Sequence, residues 1–275
     1  MYQTSSATAA SFPLSGFYAR GDMNGWYLFY AMPRAQVQAL LPDGMFLAHS
    51  PLVPPDLHPV GISFAQYHDV RGSFVPDFMR MSPYGEATFA IPFVHTRDGG
   101  RARYLYPRRL YVNNWAAVLA GWICYSMNKV HSAIATDDRS FRVFDRDGRA
   151  FIEADFEQQG EPMPLRDHDA FGAITEILNL PFVTQAKSGE HYYNAFNMEL
   201  DRAYVAPVAA QVSIADSGDG GFPDCARSFV PLRSGHPARL PGAFRVWCSW
   251  SMTNPLDGKR VRRSAIAESW LRRTY

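Results

Sequence analysis

The sequence predicts an α+β fold built mainly on an antiparallel β-sheet, which can close into a barrel. The first observation is composition, because 20 glycines, 20 prolines and 14% aromatic residues favour strands and turns over a helical bundle. The second is a succession of alternating or aromatic-rich segments, separated by turn signals, with few helical segments between them. No repeat or linker divides the 275 residues. We therefore predict a frayed N-terminus over residues 1–15 and a single domain over residues 16–275.

The first half of the chain predicts strands joined by turns. GWYLFYAM, at residues 25–32, predicts a strand, and residues 33–42 predict a short helix that begins and ends at a proline. VGISFAQYHDV and GEATFAIPFVHT predict two more strands. RDGGR predicts a hairpin turn into ARYLYPRRLYV, so these strands are expected to pair antiparallel.

The second half begins with its most apolar stretch, WAAVLAGWICYSMNKVHSAI at residues 115–134. AAVLAGWICYSM within it predicts a buried helix, too short to span a bilayer. SFRVFDRDGRAFIEADFE predicts a hairpin around Asp147 and Gly148, and DHDAFGAITEILNLPFV a helix as far as Leu178. Residues 191–214 alternate like a strand, ADSGDGGFPDCARS predicts a loop, and AFRVWCSWSM a strand. SAIAESWLRRTY predicts a final amphipathic helix.

Charge and cysteine content narrow the partners and the compartment. A net charge of +1 gives no electrostatic reason to expect nucleic acid or an anionic membrane as a partner. Cys124, Cys225 and Cys248 are odd in number and widely spaced, which indicates free thiols in a reducing compartment. The N-terminus lacks the basic start and apolar run of a signal peptide. We expect a cytoplasmic protein.

Several common kinds of site have no anchor in this sequence. The eight histidines form no His-x-His or HExxH pair, so we predict no metal site. No G-x-S-x-G elbow, Walker A or dinucleotide-binding pattern is present, so a serine hydrolase and nucleotide binding are unsupported. We predict no cofactor.

The position of Lys129 is the strongest chemical signal. The chain has only three lysines, and Lys187 and Lys259 lie in polar contexts, whereas Lys129 interrupts the apolar stretch. Desolvation lowers the pKa of a lysine in an apolar pocket, and a neutral amine forms a Schiff base with ketones and aldehydes. Such an imine supports decarboxylation of β-keto acids, aldol chemistry or dehydration. The alternative is a lysine at the end of an apolar helix that extends its amine into water.

Several segments resemble the acetoacetate decarboxylase family. SPYGEATFAIPFV, at residues 82–94, resembles the Tyr-x-Glu segment of that family and places Glu86 on an active-site glutamate. YVNNWAAVLAGWICYSMNKV aligns without gaps on the segment that runs from a Gly-Arg-Glu element to a Tyr-Pro-Lys-Lys element. This alignment places Gly121 on the family glycine and Lys129 on the Schiff-base lysine. Weaker similarity extends over residues 16 to about 215.

The resemblance implies a cone-like antiparallel barrel with a few flanking helices, a homo-oligomer and a small-molecule substrate. Its departures concern the charged groups of the pocket. The second lysine of the family falls on Val130, and the arginine and glutamate after the glycine fall on Trp122 and Ile123. A register shifted by one residue would instead place Asn128 on the nucleophile and Lys129 on the second lysine.

Two further family residues have no direct counterpart. The N-terminal arginine that holds the substrate carboxylate falls near Gly25, and Arg20 is the nearest arginine that could replace it. An earlier active-site glutamate falls near Ser63. The pattern indicates a relative that keeps the amine and one carboxyl group while the rest of the pocket has changed.

These observations lead to two hypotheses. In the first, the protein is a lyase of secondary metabolism, decarboxylase-like or an aldolase/dehydratase, acting on a small keto acid or related biosynthetic intermediate. Lys129 condenses with the substrate carbonyl, Glu86 transfers protons, and six residues contact the substrate: Tyr84, Arg20, Ser63, Trp122, Tyr125 and Met127. In the second, the same fold binds an apolar ligand without an imine, as a non-covalent cyclase, isomerase or carrier. The two differ in whether the Lys129 amine points into a cavity near Glu86.

Overall fold

The computed structural model of the protein describes residues 18–72, 80–97, 102–186, 189–215, 221–232 and 240–253. Its helices are α1 (Arg34–Ala39), α2 (Trp115–Tyr125) and α3 (Phe171–Leu178). The strands of the first half are β1 (Tyr18–Pro33), β2 (Met45–Leu47), β3 (Leu57–Gly72), β4 (Tyr84–Thr96), β5 (Tyr104–Val112), β6 (Lys129–His131) and β7 (Ala133–Thr136). Those of the second half are β8 (Ser140–Phe144), β9 (Ala150–Gln158), β10 (Met163–Pro164), β11 (Phe182–Gln185), β12 (His191–Asn194), β13 (Phe196–Met198), β14 (Tyr204–Ile214), β15 (Cys225–Phe229) and β16 (Ala243–Thr253).

The predicted fold of many strands and few helices is confirmed. The strand order is β12-β11-β5-β4-β3-β1-β16-β14-β9-β8-β7, and the other five strands pair with members of this path. The pairings are antiparallel except for β5 with β6 and β5 with β11. β16 lies between β1 and β14, so the last described strand belongs to the same sheet as the first.

Closure of the sheet into a barrel stays a prediction. The path ends at β12 and β7, and no ladder joins these two strands among the described residues. A single residue, Ala195, separates β12 from β13. Asn194 of β12 pairs with Phe182 in β11, and Phe196 of β13 pairs with Met252 in β16.

The central strands are buried on both faces. Along β1, Trp26 and Leu28 belong to one hydrophobic cluster, whereas Tyr27 and Phe29 belong to the other. Successive side chains of a strand point to opposite faces. A strand covered on both sides therefore needs apolar residues at every position, which is why GWYLFYAM is apolar throughout and does not alternate.

The structure corrects three predicted elements. One is the predicted loop ADSGDGGFPDCARS, whose last four residues begin β15 (Cys225–Phe229). The predicted helix over residues 116–127 ends at Tyr125, because Ser126 adopts a left-handed conformation with φ of 49°. Lys129 consequently begins β6 instead of closing a helix. The alternating segment at residues 191–214 is divided into β12, β13 and β14. The frayed N-terminus, the RDGGR turn except Arg97, Lys187, Lys259 and the terminal helix lie outside the described residues.

The cysteines and the lengths of the helices can be compared with the sequence predictions. All three cysteines are described and are free thiols, as predicted. In the part of the chain that the structure describes, no helix combines the length and the apolar character needed to cross a membrane.

His58 of β3 is a buried base with an unusual environment. Its side chain is fully buried; Nε2 lies 2.8 Å from the Pro92 carbonyl oxygen, to which it donates in the neutral ring. Nδ1 has no hydrogen-bond partner among the described residues. Burial lowers the pKa of His58 from 6.5 to about 4; the Pro92 contact opposes this and the Arg34 charge adds to it. Between pH 4 and pH 6.5 His58 is therefore neutral in the folded protein and protonated in the unfolded chain.

We expect this burial to make folding stability fall with acid. Between pH 6.5 and 4 the unfolded chain binds a proton at His58 that the folded chain excludes, so the free energy of unfolding decreases as pH falls, by up to about 3 kcal/mol. His58→Gln keeps an amide donor for Pro92 and does not titrate. Urea unfolding at pH 7 and pH 4.5 should therefore show a smaller acid loss for the variant. Equal losses for the two proteins would show that His58 titrates normally in the fold.

Candidate active site

A row of side chains crosses five neighbouring strands and forms one wall of a cavity. Tyr27 of β1 lies opposite Ser63 of β3, and Ser63 lies opposite Thr88 of β4. Thr88 lies opposite Leu110 of β5, which is the parallel partner of Lys129 in β6. Residues in register across a sheet project from the same face. The strand pairings therefore bring Lys129 to the face that carries Tyr27 and Ser63.

Glu86 reaches the same cavity because it lies two residues before Thr88. Alternate residues of a strand share a face, and Tyr84, Glu86, Thr88 and Ala90 of β4 all line the cavity. Glu86 Oε1 accepts hydrogen bonds from Thr88 Oγ1 at 3.3 Å and from Tyr67 Oη at 3.4 Å. These contacts hold a carboxyl group inside an otherwise apolar face of the sheet.

An ion pair joins Lys129 to Glu86. Lys129 Nζ donates to Glu86 Oε2 at 2.7 Å, and the two side chains are only 10% and 7% exposed. A charge taken out of water costs several kcal/mol unless a partner compensates it, and here each charge compensates the other. The arrangement places an amine beside a carboxyl group that can accept its proton.

Helix α2 makes room for the lysine and anchors its backbone. A Cβ atom on Gly121 would lie only 2.5 Å from Lys129 Cδ, so the glycine leaves the space that the lysine side chain occupies. Trp122 Nε1 donates to the Lys129 carbonyl oxygen at 2.7 Å. After the left-handed residue Ser126, Met127 N donates back to the Gly121 carbonyl oxygen at 3.0 Å. The turn thus directs β6 past the glycine.

The cavity is small and mainly apolar. Its volume of about 90 Å³ is below the range of ~300–1,000 Å³ typical of pockets for drug-sized ligands. Lys129 and Glu86 are the only charged residues among the described residues that line it. Aliphatic and aromatic side chains from the second half of the chain complete the wall: Leu178, Phe182, Phe196, Met198, Trp250 and Met252. The cavity therefore suits a small molecule with an apolar part.

Three buried tyrosines surround Glu86 as neutral donors. Burial raises the pKa of Tyr67 and of Tyr84 well above the usual value, and the charge of Glu86 raises both further. Burial likewise raises the pKa of Tyr27, and the neighbouring Cys248 and Glu86 raise it further. The rings of Tyr67 and Tyr84 stack with centroids 5.0 Å apart. All three phenols stay protonated at neutral pH. Tyr67 donates to Glu86, and Tyr27 and Tyr84 can donate to a substrate oxygen.

The structure brings five of the eight predicted site residues together. Lys129, Glu86, Tyr84, Ser63 and Met127 all line the cavity. Their chemical roles are not decided by this placement and stay predictions.

Three predicted substrate contacts, Arg20, Trp122 and Tyr125, do not line the cavity, and their roles stay predictions. Arg20 is exposed because consecutive residues of β1 face opposite ways, and its neighbour Ala19 belongs to the hydrophobic cluster of Tyr27 and Phe29, here called the cavity-side core. Trp122 is 48% exposed, and its indole contacts the Lys129 backbone instead of the cavity. Tyr125 is buried in the cavity-side core.

Several cavity residues were not predicted from the sequence. Thr88 follows from Glu86 by the two-residue period of a strand, and that signal was present in the sequence. Tyr27 and Tyr67 needed the register of β1 and β3, and Trp250 comes from β16. No local pattern links these residues to Lys129.

Metal binding finds no support in the described part of the chain. No three histidine, cysteine, aspartate or glutamate side chains there come together in a way that could hold a metal ion.

The sequence of the chain was compared with protein families and with curated proteins. The sequence profile of the family described as acetoacetate decarboxylase (ADC) matches residues 2–215. No curated protein matches the chain.

Three solved structures have a fold similar to that of this chain. The enduracididine biosynthesis enzyme MppR, complexed with pyruvate, is 13% identical with a TM-score of 0.57, over 88% of this chain and 90% of that chain. An acetoacetate decarboxylase from Legionella pneumophila subsp. pneumophila str. Philadelphia 1 is 11% identical with a TM-score of 0.52, over 88% of each chain. An acetoacetate decarboxylase-like enzyme from Sphingomonas wittichii RW1 is 14% identical with a TM-score of 0.54, over 88% and 93%. At these identities the likeness shows a shared fold.

Proposed function

The chain belongs to the acetoacetate decarboxylase family, and from that premise we propose that it is a lyase that forms a Schiff base between Lys129 and a small carbonyl substrate, such as a keto acid or a related biosynthetic intermediate. One observation carries the proposal: Lys129 Nζ lies 2.7 Å from Glu86 Oε2, and both side chains line the same small cavity. An amine with an adjacent proton acceptor is the minimum that imine chemistry requires.

The proposed steps assign one role to each group. Glu86 takes a proton from the Lys129 ammonium, and the neutral amine adds to the substrate carbonyl carbon to form a carbinolamine. Glu86 returns the proton to the departing hydroxyl, so that water leaves and an iminium forms. The iminium accepts the electron pair of a bond at the neighbouring carbon, which gives an enamine. Protonation of that carbon and hydrolysis release the product and free Lys129. Loss of CO₂ and aldol cleavage break a C–C bond at the step that gives the enamine. In dehydration the bond broken is C–H, and the enamine then expels a β-hydroxyl group, which leaves as water with the proton that Glu86 removed, before hydrolysis of the iminium.

The geometry supports the alignment that makes Lys129 the nucleophile. Asn128, the candidate of the shifted register, is exposed, accepts from Arg109 Nη1 at 2.9 Å and donates to the Arg108 carbonyl oxygen. Val130, where the family has its second lysine, lies outside the cavity lining. The cation next to the reacting amine is therefore absent among the described lining residues, and Glu86 is the charged neighbour instead.

We infer the remaining features from the same premise. The pairing of β16 with β1 supports a single domain that continues past residue 215. The one-residue link between β12 and β13 supports a cone-like barrel. Free cysteines support a reducing, cytoplasmic setting. The likeness to an enduracididine biosynthesis enzyme supports a role in secondary metabolism, and family membership supports a homo-oligomer.

Hydrogen exchange at the α-carbon of a bound carbonyl compound tests the proposal. In D₂O the wild type should exchange the α-protons of pyruvate or butanone by enamine formation, and proton NMR follows the loss of signal. Glu86→Gln keeps the shape and an oxygen acceptor for Lys129 but cannot carry the proton. We expect exchange about 10²–10⁴-fold slower in this variant. Wild-type exchange no faster than that of Lys129→Met would contradict the lyase proposal.

A second function, non-covalent turnover or binding of an apolar ligand, is favoured by one observation. The Lys129 amine is already engaged by Glu86, and the rest of the described wall is uncharged. In this case the ion pair would orient a ligand by hydrogen bonds, as a cyclase, isomerase or carrier would require. Turnover or binding of a ligand that leaves no borohydride-reduced adduct on Lys129 would favour it.

A further inference from the structure

The charge balance of the cavity bears on which carbonyl compounds can enter it. The described lining residues contain one cation and one anion, Lys129 and Glu86, and these are paired at 2.7 Å. The wall is therefore neutral overall. The predicted carboxylate partner, Arg20, is exposed and does not line the cavity.

A substrate carboxylate would meet a poor environment here. Its only cationic partner among the described lining residues would be Lys129, and Glu86 already accepts from that amine. A second carboxylate would be a like charge beside Glu86, and an unpaired carboxylate in an apolar site costs several kcal/mol. The balance does not change during imine formation, because a protonated iminium at Lys129 carries the same charge as the ammonium it replaces.

An uncharged substrate would find suitable partners. The hydroxyl groups of Tyr27 and Ser63 line the cavity and can donate to a carbonyl or hydroxyl oxygen, whereas those of Tyr67 and Thr88 already donate to Glu86. Leu178, Phe196, Met198 and Met252 offer an apolar surface for the remainder of the molecule. These contacts fit a molecule that is polar at the reacting end and apolar at the other.

We propose that the site selects an uncharged ketone or aldehyde with an apolar chain over a free keto acid. This inference rests on the proposed Schiff-base function. An uncharged substrate has no carboxylate to lose as CO₂, so aldol or dehydration chemistry follows at the bond-breaking step.

Reductive trapping with a matched pair of ketones tests this selection. Levulinate and hexan-2-one each carry a methyl ketone on a short chain, and only levulinate carries a carboxylate. Each is incubated with the wild type and borohydride, and the rate of adduct formation at Lys129 is measured by mass spectrometry. A short lysine-containing peptide, treated in the same way, gives the intrinsic ratio of the two rates. The rate of trapping of hexan-2-one divided by that of levulinate should be at least tenfold higher for the protein than for the peptide.

A variant that adds a cation provides the converse measurement. Phe182 lines the cavity and is only partly buried, so Phe182→Arg can add a charge there, and Phe182→Leu is the matched control without the charge. Phe182→Arg should shift the ratio towards levulinate, and Phe182→Leu should not.

The outcomes separate the selection from the chemistry. The rate ratio of the wild type is divided by that of the peptide. If the wild type then traps levulinate at least as fast as hexan-2-one, the selection is refuted while the Schiff base stands. If neither ketone is trapped at Lys129, the selection fails, and the lyase proposal fails with it when pyruvate gives no adduct at Lys129 either.

Discussion

Replacing Lys129 with methionine is expected to lower imine-dependent turnover by at least about 10⁴-fold, as for other enzymes that lose a covalent nucleophile. Methionine fills a similar volume but has no amine to add to a carbonyl. Neither α-proton exchange nor a borohydride-reduced adduct should be detectable. Exchange that persists at the wild-type rate would exclude Lys129 as the nucleophile.

The same substitution should also reveal the ion pair through stability. Glu86, with a side chain only 7% exposed, would lose its cation, and leaving one partner of a buried pair costs about 3–5 kcal/mol. The double variant Lys129→Met/Glu86→Gln removes both charges and should recover most of this loss. Urea unfolding of the wild type, both single variants and the double variant measures the coupling. Additive effects would show that the pair contributes no coupling energy.

Gly121→Ala is expected to reduce activity without weakening the fold. The added Cβ would lie 2.5 Å from Lys129 Cδ, and ordinary contact begins at 3.4 Å, so that methylene group must move by about 0.9 Å. Misplacement of a reacting group by about 1 Å can reduce the rate about 10²-fold. The lysine chain is flexible and can yield, and alanine in a helix interior is about 0.5–1 kcal/mol more favourable than glycine. Turnover should therefore fall while the free energy of unfolding stays level or rises.

Gly172→Ala is the matched control. Gly172 lies in helix α3, and a Cβ atom there would meet no atom within 4 Å. This variant shares the gain in helix propensity and should keep full activity. Equal activity of Gly121→Ala and the wild type would show that the lysine position does not depend on this clearance.

Strands and helices were predictable where the residues within or beside them determine their bounds. The hairpin of β8 and β9 follows from alternation around Asp147 and Gly148, and α1 follows from its two flanking prolines. The end of α2 was not predictable in this way. Its left-handed residue is Ser126, and serine does not mark such a conformation as glycine would.

The site was predictable as a pair of residues but not as a geometry. Lys129 and Glu86 are separated by 43 positions, and their contact depends on the register of β4, β5 and β6. A register slip of one residue would turn either side chain to the other face. Arg20 shows the same dependence, because nothing in its local sequence indicates which face of β1 it occupies.

Reductive trapping followed by peptide mapping tests whether Lys129 is the residue that forms the Schiff base. The protein is incubated with a panel of carbonyl compounds that includes pyruvate, levulinate and hexan-2-one, reduced with borohydride, digested and analysed by mass spectrometry. We expect one adduct per chain, located on Lys129 and absent from Lys129→Met. Adducts spread over Lys187 and Lys259 with none on Lys129, or no adduct from any member of the panel, would contradict it.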